Sequence, residues 1–292
     1  MNIVVLSRNP QLYSTNSIVK AGRGRNHYVR VLDHMYCDLI VEEGKLEMYY
    51  NKQKLSRVDA IIPRIGNSAT SYGSAVIRHF ESMGVYSVLG SDPLLRSRNK
   101  ISCLQILAAN GIKVPRTAIS NHSYTAGFLL DRVGHSPHVL KLASGTHGMG
   151  VILSKDKQNA ESILEAFSTK NQKILIQKFI PEAGGADIRV FIVGGEIVGV
   201  MKRQAKPGEF RSNLHRGGHS FVIDLSPKEK EVALKACELM GLNVAGVDML
   251  QTHEGPMVLE VNASPGLEGI ETTTKVDIAG KIIQFVERNA GK

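Results

Sequence analysis

A chain of 292 residues, 42% hydrophobic and 22% charged, is long enough for two or three lobes around a sizeable core and ordinary for a soluble globular protein. Its net charge of +9, from 36 Lys and Arg against 27 Asp and Glu, favours anionic partners (nucleotide phosphates, nucleic acid or an acidic protein tail), although a solvated basic surface would carry the same balance. Absent Trp and sparse aromatic residues argue against a base-stacking platform; Cys37, Cys103 and Cys237 form no CxxC pair and read as buried or free thiols in a reducing cytoplasm, the ten His show no zinc spacing, and no run approaches the ~20 apolar residues of a membrane span.

The first ninety or so residues alternate in α/β fashion. Ile3 to Leu6 reads as a strand, Ser14 to Gly24 as a helix, Tyr28 to Leu32 as a second strand and Ala60-Ile61-Ile62 as a third that Pro63 ends. A helix over about Ser71 to Met83 and a short strand at Tyr86 to Val88 complete a small parallel sheet with helices on its faces. Asp92-Pro93 reads as an N-cap with Pro at the first helical position, and the helix beyond carries Ile101, Leu104, Leu107 and Ala108 on an apolar stripe.

Past Gly111 strands become frequent: Thr117 to Ile119, Val139 to Leu142, Val151 to Leu153, Ile174 to Ile176, Arg189 to Val193 and Ile197 to Met201. Gly194-Gly195 between the last two signals a two-residue hairpin. Helices fit at Lys157 to Phe167, after the capping box of Ser226, Pro227 and Glu229, and near Val276 to Arg288. The whole reads as an α/β lobe followed by a mostly antiparallel α+β region of two subdomains.

Two segments suit phosphate. Lys141 ends an apolar strand and is followed by Ser144 to Gly150, in which Gly145, Gly148 and Gly150 let backbone N–H groups turn toward an anion; no Gly-Lys-Ser/Thr follows, so this is not a Walker A loop. A glycine-rich hairpin without a ligand reads equally well. Arg211-Ser212-Asn213-Leu214-His215-Arg216-Gly217-Gly218, preceded by Lys202, Arg203 and Lys206, gathers guanidinium and hydroxyl donors, with a solvated basic loop as the alternative. Lys100 by itself reads as solvent-facing.

The most informative stretch lies near the C-terminus. Gly246 to Leu250 and Pro256 to Asn262 read as strands joined by a loop at Thr252 to Gly255, and pairing about Glu254 puts Asp248 opposite Glu260 and Gly246 opposite Asn262. Two carboxylates facing each other in an apolar sheet repel unless a hard divalent cation lies between them, and Asp248, Glu260 and Asn262 would leave such an ion positions open for phosphates. An edge hairpin with solvated acids is the alternative.

At this point the sequence resembles the ATP-grasp superfamily, and in particular the RimK-type α-L-glutamate ligases. The resemblance rests on Ser7-Arg8, Ile62-Pro63-Arg64-Ile65-Gly66, Lys141-Leu142 with the glycine segment, Asp187-Ile188-Arg189, Phe210 to Gly218, Val244 to Asp248 and Glu260 to Ile270, and it spans nearly the whole chain. It implies an α/β N-terminal lobe over 1–95, an ATP-grasp central subdomain with a glycine flap over 96–180, and a C-terminal subdomain with the metal site over 181–292. Adenine would sit between the two α+β subdomains, read by the backbone of Gln177-Lys178-Phe179-Ile180, with Asp187 near the ribose; relatives usually carry an acidic residue where this chain has Lys178.

By the same resemblance Lys100 and Lys141 would contact ATP phosphates, and Arg211, Ser212 and Asn213 would line the phosphate and acyl site. Asp248, Glu260 and Asn262 would bind two Mg²⁺ or Mn²⁺ ions. Lys141, Arg203 and Arg211 would stabilise developing charge, and Arg8 and Arg64 are placed to meet substrate carboxylates. The implied activity is ATP-dependent addition of L-glutamate, through an acyl phosphate, to the acidic C-terminus of small-subunit ribosomal protein six, with poly-α-glutamate as a further product. A homo-oligomer, tetrameric by resemblance, is implied, with no membrane partner and no direct nucleic-acid readout. Ligation onto an amino-group carrier protein, a small peptide or a cofactor is one alternative, and a non-catalytic nucleotide-responsive ribosome-binding or RNA-binding protein is another.

Overall fold

The computed structural model describes residues 1–120, 124–142, 150–168, 174–214 and 217–291. The N-terminal lobe runs β1 (Asn2–Leu6), α1 (Tyr13–Gly24), β2 (Tyr28–Leu32), β3 (Cys37–Glu42), β4 (Lys45–Tyr50), β5 (Gln53–Lys54), β6 (Ala60–Pro63), α2 (Thr70–Ser82) and β7 (Tyr86–Ser87). Its main sheet has the order β2-β1-β6-β7 and is parallel throughout. Ile3 to Leu6 and Ala60 to Ile62 are uninterrupted apolar runs because this sheet is covered on both faces. Its strands deliver Ser7-Arg8 and Arg64-Ile65 to the carboxyl edge, where open α/β sheets take their ligands.

A small antiparallel sheet, β3-β4-β5, is an addition the sequence reading did not contain. Its hairpin turns at Gly44, in the left-handed region with φ +68°, and buries Cys37 and Met48 while leaving most of β3 exposed. With one buried residue in β3, the alternation that marks a half-buried strand is hard to see.

The connector differs from expectation in two respects. The helix runs as two, α3 (Ser91–Arg98) and α4 (Lys100–Ala109), because Asn99 leaves the helical region and its Oδ1 accepts from the amides of Ile101 at 3.1 Å and Ser102 at 3.2 Å. Asp92 is not the N-cap. Gly90 holds that position, and Glu81 of α2 caps the helix from outside, accepting from Ser91 N at 3.2 Å and Ser91 Oγ at 2.7 Å.

The central subdomain contains β8 (Thr117–Ser120), α5 (Ala126–Val133), β9 (His138–Leu142), β10 (Val151–Ser154), α6 (Lys157–Ser168) and β11 (Ile174–Lys178), with antiparallel sheet order β10-β9-β11-β8. The C-terminal subdomain contains β12 (Ala186–Val193), β13 (Glu196–Gln204), β14 (His219–Val222), α7 (Pro227–Met240), β15 (Val244–Leu250), β16 (Met257–Asn262), α8 (Glu268–Thr274) and α9 (Ile278–Asn289), with antiparallel order β14-β13-β12-β15-β16. The Gly194-Gly195 hairpin and the Ser226/Glu229 capping box form as read from the sequence. Helices α5 and α8 and strand β14 are further elements that the periodicity did not reveal.

Core packing ties these parts together unequally. One cluster joins Phe80 and Leu94 of the first half to Val232, Ala236 and Val258 of the C-terminal subdomain, and another joins Ile3, Val5 and Ile18 to Phe191, Ile270 and Ile282. Leu130, Leu140, Leu164 and Ile176 form a separate core in the central subdomain. Shared apolar burial therefore makes one body of the N-terminal lobe and the C-terminal sheet, against which the central subdomain is set as a distinct unit. Among the described residues, no helix is long and apolar enough to cross a membrane.

Candidate functional site

The register of the five-stranded sheet builds the site. Asp187 pairs with Arg203 across β12 and β13, Arg189 with Asp248 across β12 and β15, Asp248 with Glu260 across β15 and β16, and Gly246 with Asn262. Directly opposed residues share a face, and residues two apart along a strand share it too, so all six polar side chains lie on one side of the sheet. The opposition of Asp248 to Glu260 is the one read from the sequence. Beyond it the pairing slips by one residue, Met249 to Val258, so that Leu259 is an extra residue and the hairpin is not symmetric about Glu254 over its whole length.

Four of the charges on this face are joined in ion pairs. Arg203 donates to Asp187 from Nε at 2.7 Å and also from Nη2, and its Nη2 lies 3.1 Å from Asp248 Oδ2. Arg189 donates from Nε to Asp248 Oδ1 at 2.7 Å and from Nη2 to Oδ2 at 2.5 Å. Burial opposes the charged form of Asp248, but the Arg189 and Arg203 guanidiniums outweigh it and hold the carboxyl well below the usual range. Burial likewise works against the charge on Arg203, and Asp248 and Asp187 reverse it, holding that guanidinium above its ordinary value.

Asn262 completes the set. Its Nδ2 donates to Glu260 Oε1 at 3.1 Å and lies 3.4 Å from both Asp248 Oδ2 and Gly246 O. An amide nitrogen thus stands between two carboxylate oxygens, in the place a cation would take, and a flip of the amide turns its oxygen into the same space. The donor set of two carboxylates and an amide is all oxygen and suits a hard divalent ion. Gly246 gives this arrangement room, since a Cβ there would lie 2.8 Å from Pro265 Cβ.

Lysines approach from two directions. Lys141 lies in β9, opposite Val151 and Leu175, and α4 begins at Lys100. Burial pushes the ammonium of each below its ordinary pKa, with Glu260 opposing. Lys100 is therefore half-buried at the site, not the solvent-facing residue it resembled in isolation.

The basic segment is held in place by a residue that the sequence reading passed over. Glu209 accepts from Arg211 Nε at 3.0 Å and Nη2 at 2.8 Å, and the Arg211 fork drives its carboxyl down to about 2 against the cost of burial. Arg211 Nη1 also donates to Val151 O at 3.2 Å, which links the C-terminal subdomain to the strand that follows the glycine segment. A Cβ on Gly218 would come within 2.8 Å of Gln204 O and 3.0 Å of Ser212 O, so this turn needs glycine to fold Ser212 and Asn213 onto the end of β13. Gly145, Gly148, His215 and Arg216 lie outside the described residues; Gly150 is described, with φ +73°.

At the expected hinge, Lys178 N donates to Arg116 O at 2.8 Å and its side chain is exposed, while Gln177 is buried and donates to Thr117 Oγ1 at 2.9 Å. The Phe179 ring meets Phe210 edge-on at 6.4 Å. Arg8 donates to Ser68 Oγ at 3.1 Å and lies beside Gly66, and Arg64 reaches Pro265 O at 2.7 Å. Arg189 and Arg98 are site residues that the sequence reading did not select. Each is a single basic residue whose partners lie far away in the chain, and no local spacing marks it.

The model of the RimK PreATP-grasp domain matches residues 1–94, and that of the RimK-like ATP-grasp domain matches residues 97–286. A probable alpha-L-glutamate ligase 2 of Shewanella frigidimarina is 50% identical over 292 residues, covering 100% of this chain and 98% of its own. A probable alpha-L-glutamate ligase of Pseudomonas aeruginosa is 50% identical over 291 residues, covering 100% and 97%. Among solved structures, the ATP-grasp ligase PsnB complexed with minimal precursor, Mg and ADP superposes with TM-score 0.76 at 20% identity over 100% of this chain and 98% of that one. The D-alanine–D-alanine ligase of Bacillus anthracis complexed with ATP superposes with TM-score 0.74 at 20% identity, covering 99% and 97%. At such identity these structures show the shared fold.

Proposed function

This chain belongs to the RimK-like ATP-grasp family, whose members include α-L-glutamate ligases, and from that premise we propose that it adds L-glutamate to the C-terminal carboxylate of small-subunit ribosomal protein six, with poly-α-glutamate as a further product. It is an ATP-dependent ligase forming C–N bonds. The observation that carries the site reading is the Asn262 amide nitrogen between Glu260 and Asp248, 3.1 and 3.4 Å from their oxygens. Three oxygen-bearing side chains converging on one point suit the divalent ions that accompany a nucleotide triphosphate.

Asp248, Glu260 and Asn262 would hold those ions, which when bound neutralise the polyphosphate and polarise the group being transferred. Lys100 and Lys141 would grip the phosphates, and Arg211, Ser212 and Asn213 would close over them from the C-terminal subdomain. Gln177, Lys178, Phe179 and Ile180 would receive adenine through their backbone, with the exposed Lys178 side chain taking no part. Gly145, Gly148 and Gly150 would belong to the flap.

Asp187 now pairs with Arg203, so a ribose contact would be made by a carboxylate that keeps this partner. The acceptor carboxylate would take the γ-phosphoryl group, the amine of glutamate would displace phosphate from the resulting acyl phosphate, and Arg203, Arg211 and Lys141 would stabilise the charge that develops. This chemistry asks the chain only to bind, orient and screen; no side chain needs to act as a nucleophile. The basic balance of the chain suits an acceptor that grows more acidic with each addition.

Intact-mass analysis of candidate acceptors, including the ribosomal protein and glutamate alone, after incubation with ATP, Mg²⁺ and single amino acids tests the proposal. A ladder of glutamyl increments on the ribosomal protein is expected. Increments confined to another peptide or carrier would move the acceptor elsewhere within the same chemistry, and ATP turnover without any amino acid incorporated would contradict the ligase reading.

A further inference from the structure

Two guanidiniums at the site lack the acidic partners that the others have. Arg189 and Arg203 are matched to Asp248 and Asp187, but neither Arg64 nor Arg98 has an ion pair with a carboxylate among the described residues. Arg64, just past β6, donates Nη2 to the Pro265 carbonyl at 2.7 Å, and Arg98, the last residue of α3, donates Nη2 to the Ile65 carbonyl. Arg98 Nε is buried and has no hydrogen-bond partner among the described residues. Carbonyl dipoles satisfy single N–H groups without neutralising a charge, and two half-buried like charges sharing one neighbourhood, one of them with a buried Nε that has no partner, suit an anion.

The placement of the pair narrows the anion. Arg64 comes from the carboxyl edge of the N-terminal sheet, and Arg98 from the connector, within the electrostatic reach of Glu260. Lys141 approaches Glu260 from the central subdomain, where Asp248 and Asp187 also act on it. The phosphate-gripping lysine and Arg98 thus come at the same carboxylate from different parts of the fold, and Arg64 stands close enough to Arg98 for their charges to oppose each other. A planar guanidinium fork matches a planar carboxylate.

We propose that Arg64 and Arg98 form a pocket for the C-terminal carboxylate of the acceptor, on the N-terminal-lobe side of Glu260. The pocket neutralises that carboxylate as it comes up to the polyphosphate, and it selects chains ending in a free carboxylate. This deepens the ligase reading and rests on it.

Calorimetric titration of triglutamate into protein saturated with Mg²⁺ and AMP-PNP tests the pocket. Arg98→Gln is expected to weaken triglutamate by about tenfold or more, and Arg98→Lys by less, while nucleotide affinity moves by less than about threefold. Triglutamate amidated at its C-terminus is expected to bind the wild type as weakly as the free peptide binds Arg98→Gln. Equal binding of free and amidated peptides would overturn the proposal, as would an Arg98→Gln variant that loses nucleotide and keeps peptide. Displacement of triglutamate by inorganic phosphate but not by acetate would reassign the pocket to the transferred phosphoryl group and equally overturn it. If the wild type failed to bind Mg²⁺ and AMP-PNP at all, the ligase reading itself would fall; nucleotide binding without carboxylate discrimination would remove the pocket alone.

Discussion

Arg189 and Asp248 face each other directly across β12 and β15, and the guanidinium takes both carboxylate oxygens, at 2.7 and 2.5 Å. Asp248 is 3% exposed and Arg189 half-buried, on the sheet face that also carries Glu260 and Asn262. A residue proposed to bind metal is therefore also the counter-ion of two arginines, since Arg203 reaches it as well.

Removing that carboxylate should cost stability as well as metal affinity. Asp248→Ala leaves the half-buried Arg189 without its acid and the buried Arg203 with only Asp187; a loss toward the lower end of the roughly 3–5 kcal/mol of a broken buried pair is expected in urea unfolding. Asp248→Asn retains hydrogen-bond acceptance by one oxygen and should lose less. A variant as stable as the wild type would show that the pair does not carry the sheet face.

Gly246 should tolerate no side chain. Its Cβ would meet Pro265 Cβ at 2.8 Å, so Gly246→Ala must push aside the segment that follows Asn262. A destabilisation of about 1–3 kcal/mol is expected, from the usual cost of overpacking. Mn²⁺ binding should weaken with it, because Asn262 lies opposite Gly246 in the register. Unchanged stability and unchanged metal binding in the alanine variant would count against this packing.

Much of this site was legible in the sequence because β15 and β16 are close in the chain. Alternation and one short loop were enough to bring Asp248 opposite Glu260, and the bulge at Leu259 lies on the loop side of that pair, where it leaves the site register intact. The fork from Arg189 was not legible, since β12 precedes β15 by some fifty residues and no local pattern says which strand will lie alongside. The break at Asn99 could have been read as an N-cap signal before Lys100; the apolar stripe over Ile101 to Ala108 hid it within what looked like one helix. Strand β3 escaped because five of its six residues keep some exposure.

Acid should loosen the basic segment. The Glu209 carboxyl is held at about 2 in the folded protein, against an ordinary value of 4.5, chiefly by the Arg211 side chain. A depressed folded value means that the stabilisation is present above about pH 4.5 and is lost as pH falls toward about 2. Glu209→Gln should therefore be less stable than the wild type near neutrality, with the difference shrinking across that window. Urea unfolding of both proteins at several pH values checks it, and a difference that stays constant down to the acid end would contradict the pairing.

The most direct test of the metal assignment is an EPR titration of Mn²⁺ in the presence of AMP-PNP, comparing the wild type with Glu260→Gln and Asn262→Leu. Bound Mn²⁺ is expected in the wild type, with affinity at least about tenfold weaker in either variant. Equal Mn²⁺ binding in all three proteins would contradict the claim that these side chains hold the ions serving the nucleotide.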